Sequence, residues 1–270
     1  MILDAILAHK REEVAAAREA RPLRDLEQAI AAGGDPQRDF RVALRQAGVS
    51  IIAEIKRRSP SGGELRPGAS ARDLAQSYAA HGAAALSVLT DARFFGGTAA
   101  DLQTARSACS LPVLRKDFLV DEYQIFEARA LGADAILLIV RALSAADLRT
   151  FLRLADDLGL HALVETHNAE EVQAALDAGA RIVGVNNRDL DTLVTDPSLA
   201  PRLRSMVPPE CVFVAESGIS RPEQIACLAA ANVDAVLIGE ALVRAEDPGA
   251  MLEQLVTAGR GAFVPGSRPA

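Results

Sequence analysis

The sequence predicts an α/β fold, a closed (β/α)8 barrel preceded by a helical extension, and three observations carry that prediction. The chain has 270 residues, an ordinary size for such a barrel in one piece. Eight short β-type runs recur along it, with Ala/Leu/Glu/Arg-rich segments of helical period between them. The runs are apolar on both faces, as parallel strands covered by helices must be.

Taken in order, residues 1–45 form an extension with two helices, one from Ile2 to about Ala20 and one from Leu23 to about Ala32. The barrel follows over residues 46–258. Its first four strands are SIIAEIK (50–56), ALSVLTD (85–91), PVLRKDF (112–118) and DAILLIV (134–140). The other four are HALVET (161–166), RIVGVN (181–186), CVFVAES (211–217) and DAVLIGE (234–240). Helices are expected at 71–80, 121–130, 145–158 and 169–178, where the apolar positions recur with helical spacing. A small-residue breaker separates helix from strand in HGAAALSVL, LGADAILLI, AGARIVGVN and ANVDAVLIG, as glycine after a helix end does. The tail, 259–270, reads as flexible. A doubly wound open sheet is the alternative, but no G-x-G-x-x-G follows the first strand.

Composition narrows the function. The net charge of −7 argues against a nucleic-acid or acidic-membrane binder and leaves room for a small anionic ligand. Cys109, Cys211 and Cys227 show no C-x-x-C spacing, and the four histidines form no H-x-x-x-H pair, so no disulfide framework, metal or cofactor is expected. The longest apolar runs are far too short to span a membrane. Asp4 and the KREE run (10–13) make the N-terminus an amphipathic helix rather than a leader. A reduced, soluble, cytoplasmic protein is expected, with monomer as the default state.

Charge inside the strands locates a site. In SIIAEIK, Ile51, Ala53 and Ile55 alternate with Ile52, Glu54 and Lys56, so the charged set points into the barrel near its C-terminal mouth, where such barrels keep their active sites. Lys116, Glu165, Asn186 and Glu216 stand near the ends of the third, fifth, sixth and seventh strands. Each alone reads equally well as a solvated rim group or half of a structural ion pair. Converging, they form a lysine–carboxylate cluster of the kind that tunes acids and bases. A lysine with a depressed pKa would be its proton donor. The turns AESGIS (215–220) and LIGEAL (237–242) follow the last two strands, where this fold cradles phosphate, with backbone N–H groups of Gly218, Gly239 and Glu240 as donors. The Glu240 carboxylate sits awkwardly there unless its side chain turns away. Arg57 is read as part of a solvated basic patch, Asp117 as an anchor for a neighbouring loop, and His167 as a loop residue without a role. Phe94, Phe95 and Phe118 fit either the core or an aromatic-ligand pocket.

The motifs AEIKRRSPSGG (53–63), LRKDFLVDEYQI (114–125), LVETHN (163–168), GVNNRDL (184–190), AESGIS and LIGEAL together resemble the indole-3-glycerol phosphate synthase family, from about Ile2 to Leu255. The resemblance implies ring closure of 1-(2-carboxyphenylamino)-1-deoxyribulose 5-phosphate with loss of CO2 and water, by a carboxy-lyase of tryptophan biosynthesis. It implies Lys116 as general acid, Glu165 as base in the dehydration, and Lys56 as the grip on the substrate carboxylate. Glu54 and Asn186 would orient hydroxyls and lysines, and Glu216 and Ser217 would line the pocket. Ser59, Arg188, Gly218 and Gly239 fall at the phosphate, and Phe118 and Leu137 at the anthranilate ring. Glu240 stands where some members carry serine, which leaves its backbone N–H as the contact. The SPSGG loop is expected to close over the ligand. By the resemblance the N-terminal helices contribute to substrate binding; from the residues alone they serve equally as a plug over apolar surface. Another phosphate-binding barrel, such as a phosphoribosyl isomerase, and a non-catalytic sugar-phosphate binder are the rival readings.

Overall fold

Eight parallel strands close on themselves in the computed structural model, which describes residues 2–33, 35–60, 62–189 and 191–261. The barrel strands are β1 (Ser50–Ile55), β4 (Ala85–Leu89), β5 (Val113–Lys116), β6 (Ala135–Ile139), β7 (His161–Thr166), β8 (Ile182–Asn186), β9 (Val212–Glu216) and β10 (Ala235–Ile238). Each pairs with the next in sequence, and β10 returns to β1 through Ser50↔Ala235 and Ile52↔Leu237. The remaining two, β2 (Arg58–Ser59) and β3 (Gly63–Glu64), form a small antiparallel hairpin in the loop after β1.

The period-2 alternation sorts each strand into two cores. Ile51, Ala53, Val88, Val113, Ile136, Leu138, Val164, Val183 and Val236 face the helices in one continuous cluster. Ile52, Ala85, Leu114, Ala135, Leu137, Leu163, Ile182, Val212, Val214 and Leu237 fill the barrel interior in another. Side-chain layers of this kind make the barrel a packed core. The interior column of each strand leads upward to its end: from Ile52 to Glu54, from Leu114 to Lys116, from Leu163 to Glu165, from Val214 to Glu216. One charge departs from the simple rule that charges avoid the helix side. Arg115 is buried there, and it is tolerated because Asp117 (3.2 Å), Glu127 (2.7 Å) and the Gln124 carbonyl (3.1 Å) satisfy its guanidinium.

Helices α1 (Ile2–Ala20) and α2 (Leu23–Ala31) precede the barrel, and a third, α3 (Phe40–Ala43), was not legible in the sequence. Asp39 caps α3 by accepting from the Val42 N–H at 2.8 Å. Phe40 and Leu44 join the interior cluster beside Ile52, Ala85, Ala135 and Val212, so this short helix plugs the N-terminal end of the barrel. Helix α1 lies at the opposite end, tied down by Lys10, whose Nζ reaches Asp91 (3.0 Å) and Asp117 (2.9 Å) beyond β4 and β5.

The outer helices are α4 (Ala71–Ala80), α6 (Ala99–Ala108), α7 (Tyr123–Ala130), α8 (Ala145–Asp157), α9 (Ala169–Asp177), α10 (Leu199–Leu203), α11 (Pro222–Ala230) and α13 (Pro248–Gly261), with short turns α5 (Ala92–Phe95) and α12 (Glu240–Arg244) near the mouth. Ser70, Thr98, Ser144 and Asn168 each accept a backbone N–H at a helix start, which sets where these helices begin. Helix α13 continues to Gly261, with Gly259 buried, so residues 259–261 belong to it rather than to a tail; the rest of the expected tail lies outside the described residues. No described helix is long and apolar enough to cross a membrane.

Candidate active site

The strand ends converge on one cavity of about 470 Å³ at the C-terminal mouth. All the residues expected to act on or bind substrate line it: Glu54, Lys56, Ser59, Lys116, Phe118, Leu137, Glu165, Asn186, Arg188, Glu216, Ser217, Gly218, Gly239 and Glu240. Ile2, Leu3 and Ile6 of α1 add an apolar wall, so the extension borders the cavity as well as covering apolar surface. Phe95 and Phe118 stand side by side at 5.9 Å between ring centroids. Phe94 instead packs on His9, away from the cavity.

At the centre, Lys116 Nζ donates to Glu216 Oε2 at 2.5 Å and to Glu165 Oε2 at 3.1 Å. Asn186 Nδ2 donates to Glu165 Oε1 at 3.0 Å. Burial alone would lower the Lys116 pKa, but Glu216, Glu165 and Glu54 outweigh it and hold the ammonium above its usual range. The expectation of a depressed lysine is thereby overturned: three carboxylates face it in a largely buried site. The same neighbours drive the two carboxyls apart. Burial pushes Glu216 up, Lys116 does not fully offset it, and with Glu165 nearby it reaches about 7. Glu165 is held well below the usual range because Lys116, His167 and Asn186 outweigh its burial. Environments that separate paired carboxyls in this way divide acid from base.

Beside this cluster, Lys56 Nζ lies 2.6 Å from Glu54 Oε1. Gly239 makes room for that carboxylate, since a Cβ there would sit 2.2 Å from Glu54 Oε1. Ser217 and Gly218 both adopt left-handed backbone, at φ 65° and 76°, and turn the chain sharply after β9. Asn187 Nδ2 fixes the turn by donating to the Ser217 carbonyl at 3.0 Å.

Other side chains stand differently from expectation. The Glu240 carboxylate is drawn to Arg244 (3.0 Å) and Arg188 (3.6 Å), which neutralise it beside the expected phosphate position. Arg244 also donates to the Gly62 carbonyl at 3.0 Å and so bridges α12 to the loop after β1. Arg57 is no solvated patch: it forms a bidentate pair with Asp101 at 2.7 and 2.6 Å and ties that loop to α6. Asp117, by contrast, is the anchor it was expected to be, holding Thr90, Lys10 and Arg115. His167, given no role from sequence, is buried between Glu165 and Glu171. Its position two residues beyond Glu165 was the available signal, but its partner Glu171 lies on the following helix and was not paired with it.

Comparison with known proteins decides the family. A family model described as indole-3-glycerol phosphate synthase matches residues 3–255. The chain belongs to that family. Proteins named indole-3-glycerol phosphate synthase from Laribacter hongkongensis and Saccharopolyspora erythraea are 52% and 46% identical, over 94% and 96% of this chain and 98% and 96% of theirs. A solved thiamine phosphate pyrophosphorylase from Pyrococcus furiosus superposes with a TM-score of 0.62 at 17% identity, over 81% of this chain and 98% of that one, and shares the barrel alone. The family's activity makes this protein a carboxy-lyase of tryptophan biosynthesis that forms indole-3-glycerol phosphate from a phosphorylated substrate.

Proposed function

We propose that the Lys116–Glu165–Glu216 cluster performs the ring closure, with Lys116 as general acid and Glu165 as base, and that the enzyme works in the cytoplasm without a cofactor. The observation that carries this reading is the ammonium held between two carboxyls whose pKa values are split, one low and one near 7. Lys116 enters the reaction protonated. As the carboxylate-bearing ring carbon attacks the ketone carbon, the ketone oxygen becomes an alkoxide, a stronger base than the lysine, and takes its proton. Loss of CO2 restores the ring; in the dehydration Glu165 takes a proton from the carbon beside the hydroxyl-bearing one while a lysine ammonium protonates the departing hydroxyl, so that water leaves as the C=C bond forms. Lys56, oriented by Glu54, grips the carboxylate that departs. The turns at Ser217–Gly218 and Gly239–Glu240, with Ser59 and Arg188, hold the phosphate, and Phe118 and Leu137 take the anthranilate ring. None of the three cysteines lines the cavity, which disfavours an isomerase using a carboxylate and a thiol.

The chain contains no tryptophan, so indole formation is seen against a nearly dark protein. On mixing enzyme with the carboxyphenylamino-deoxyribulose phosphate, indole fluorescence rises. Lys116→Ala is expected to lower kcat by at least ~10²-fold, the usual weight of one general acid. A variant at Lys116 that turned over at the normal rate would move the acid elsewhere.

A further inference from the structure

Burial of an imidazole between two carboxylates needs an explanation. The His167 side chain is only 2% exposed. Its Nδ1 lies 3.1 Å from Glu171 Oε2, and its backbone N–H donates to the same oxygen at 2.9 Å. On the other side, Nε2 lies 3.3 Å from Glu165 Oε1. A neutral imidazole has one N–H and one lone pair, so one nitrogen would turn its lone pair on a carboxylate oxygen. The doubly protonated ring faces both carboxylates with a proton.

We propose that His167 is a positioning residue for Glu165: an imidazolium anchored by Glu171 that keeps the catalytic carboxylate ionised and aimed at Lys116. This rests on the reading of Glu165 as the base. The groups around the ring agree with a cation there. Glu171 from α9 is fixed by Asn168 (3.1 Å) and by Arg141 beyond β6 (3.2 Å), and Arg141 also faces Asp189 and Asp191. Lys116 from β5, Asn186 from β8 and Glu216 from β9 complete the surroundings of Glu165. Burial disfavours the charged ring, but Glu165 and Glu171 outweigh it and raise the His167 pKa to about 9. Nε2 is within ion-pair distance of Glu165 but makes no aligned hydrogen bond, so its proton is available to that carboxylate as it shifts.

The charge matters most once Lys116 has given up its proton. Glu165 and Glu216 then face each other across a neutral amine in a buried site, and like charges so placed disfavour ionisation. An imidazolium behind Glu165 supplies the missing positive charge without touching substrate. After Glu165 has taken a proton during dehydration, the same charge favours its release and readies the next turnover.

Three measurements test this together. Imidazole 15N NMR of the unliganded wild-type enzyme is expected to show His167 doubly protonated at pH 7. His167→Gln is expected to lower kcat about tenfold, with KM within about twofold, and to move the acid limb of the kcat/KM profile up by about one pH unit. Glu171→Gln is expected to lower the His167 pKa and move the same limb in the same direction. A purely structural histidine would lower Tm and leave the limb where it is. A neutral His167 at pH 7 overturns the proposal, and that titration decides it even if His167→Gln fails to fold. Glu165→Gln is assayed alongside. If it is inactive while the limb in His167→Gln is unmoved, this inference alone falls; if it is fully active, the assignment of the base falls and takes this inference with it.

Discussion

Two glycines, one lining the site and one in the strand beneath it, make room for its carboxylates. A Cβ on Gly184 would lie 2.4 Å from Glu216 Oε1, and one on Gly239 would lie 2.2 Å from Glu54 Oε1. Gly239 was read in the sequence as a backbone donor at the phosphate, a role glycine shares with other residues. Its lack of a side chain is better explained by Glu54, which is invisible from a sequence neighbour's point of view because β1 and β10 meet only when the barrel closes. Gly239→Ala therefore meets chiefly the carboxyl end of Glu54, with its Cβ next at 3.1 Å, and the expected cost falls on activity more than on stability. The Glu54–Lys56 pair at 2.6 Å breaks, kcat/KM falls by about tenfold or more, and Tm drops by only a few degrees. Steady-state kinetics and calorimetry on the same preparation check this; a variant with normal kcat/KM would show that Glu54 need not hold its place. Arg244 and His167 were missed for a similar reason, since their partners Gly62, Glu165 and Glu171 belong to other elements or turns.

At the scale of elements, α1 was recognised from its amphipathic spacing, but its place on the mouth was left open. Lys10 decides it. The sequence shows Lys10 only as the start of a KREE run, the look of a solvated face, yet the side chain is buried and meets Asp91, Asp117 and Glu13. Burial would lower its pKa, but those carboxylates outweigh it and raise it. The pair forms across long loops, so no local pattern announces it. Lys10→Met keeps the stem's apolar bulk and leaves Asp91 buried without its cation, while Asp117 keeps Arg115, a loss of about 3–5 kcal/mol by the usual cost of breaking a buried pair. With its clamp gone, α1 loosens and Ile2, Leu3 and Ile6 leave the cavity wall. KM is expected to rise about tenfold while kcat changes little, because the wall binds substrate equally before and at the transition state. Equal falls in kcat and kcat/KM would instead assign α1 to the chemical step.

For the whole molecule, what was legible followed from alternation: period-2 strands give an inner and an outer core, and the inner column carries the charges to the mouth. What was not legible depended on closure, namely α3 as a plug, Arg115 satisfied beneath a helix, and the mutual field of charges from four strands. That field makes stability depend on pH. Glu165, Glu171, Asp101 and Asp117 have lowered pKa values in the fold: burial opposes the shift in each, but the ion pairs and hydrogen bonds around them, led by Lys116, His167, Arg57 and Arg115 respectively, together outweigh it, so their contribution is present above the usual carboxylate range and lost as pH falls through their folded values. Glu216 runs the other way. Its pKa rises from 4.5 to about 7, chiefly by burial, so its contribution is present below 4.5 and lost as pH rises through about 7. His167 follows at higher pH, its contribution present below 6.5 and lost through about 9. Thermal stability should therefore peak on the acid side of neutrality and decline in two stages. Glu216→Gln removes the titrating group of the first stage while Lys116 keeps Glu165 as a partner. Calorimetry between pH 4.5 and 8 should show the variant's Tm gaining on wild type as pH rises, while kcat falls because the split between the two carboxyls is gone. Parallel Tm curves would mean that Glu216 ionises in the fold as it does in the open chain, and that the cluster does not store the strain its geometry implies.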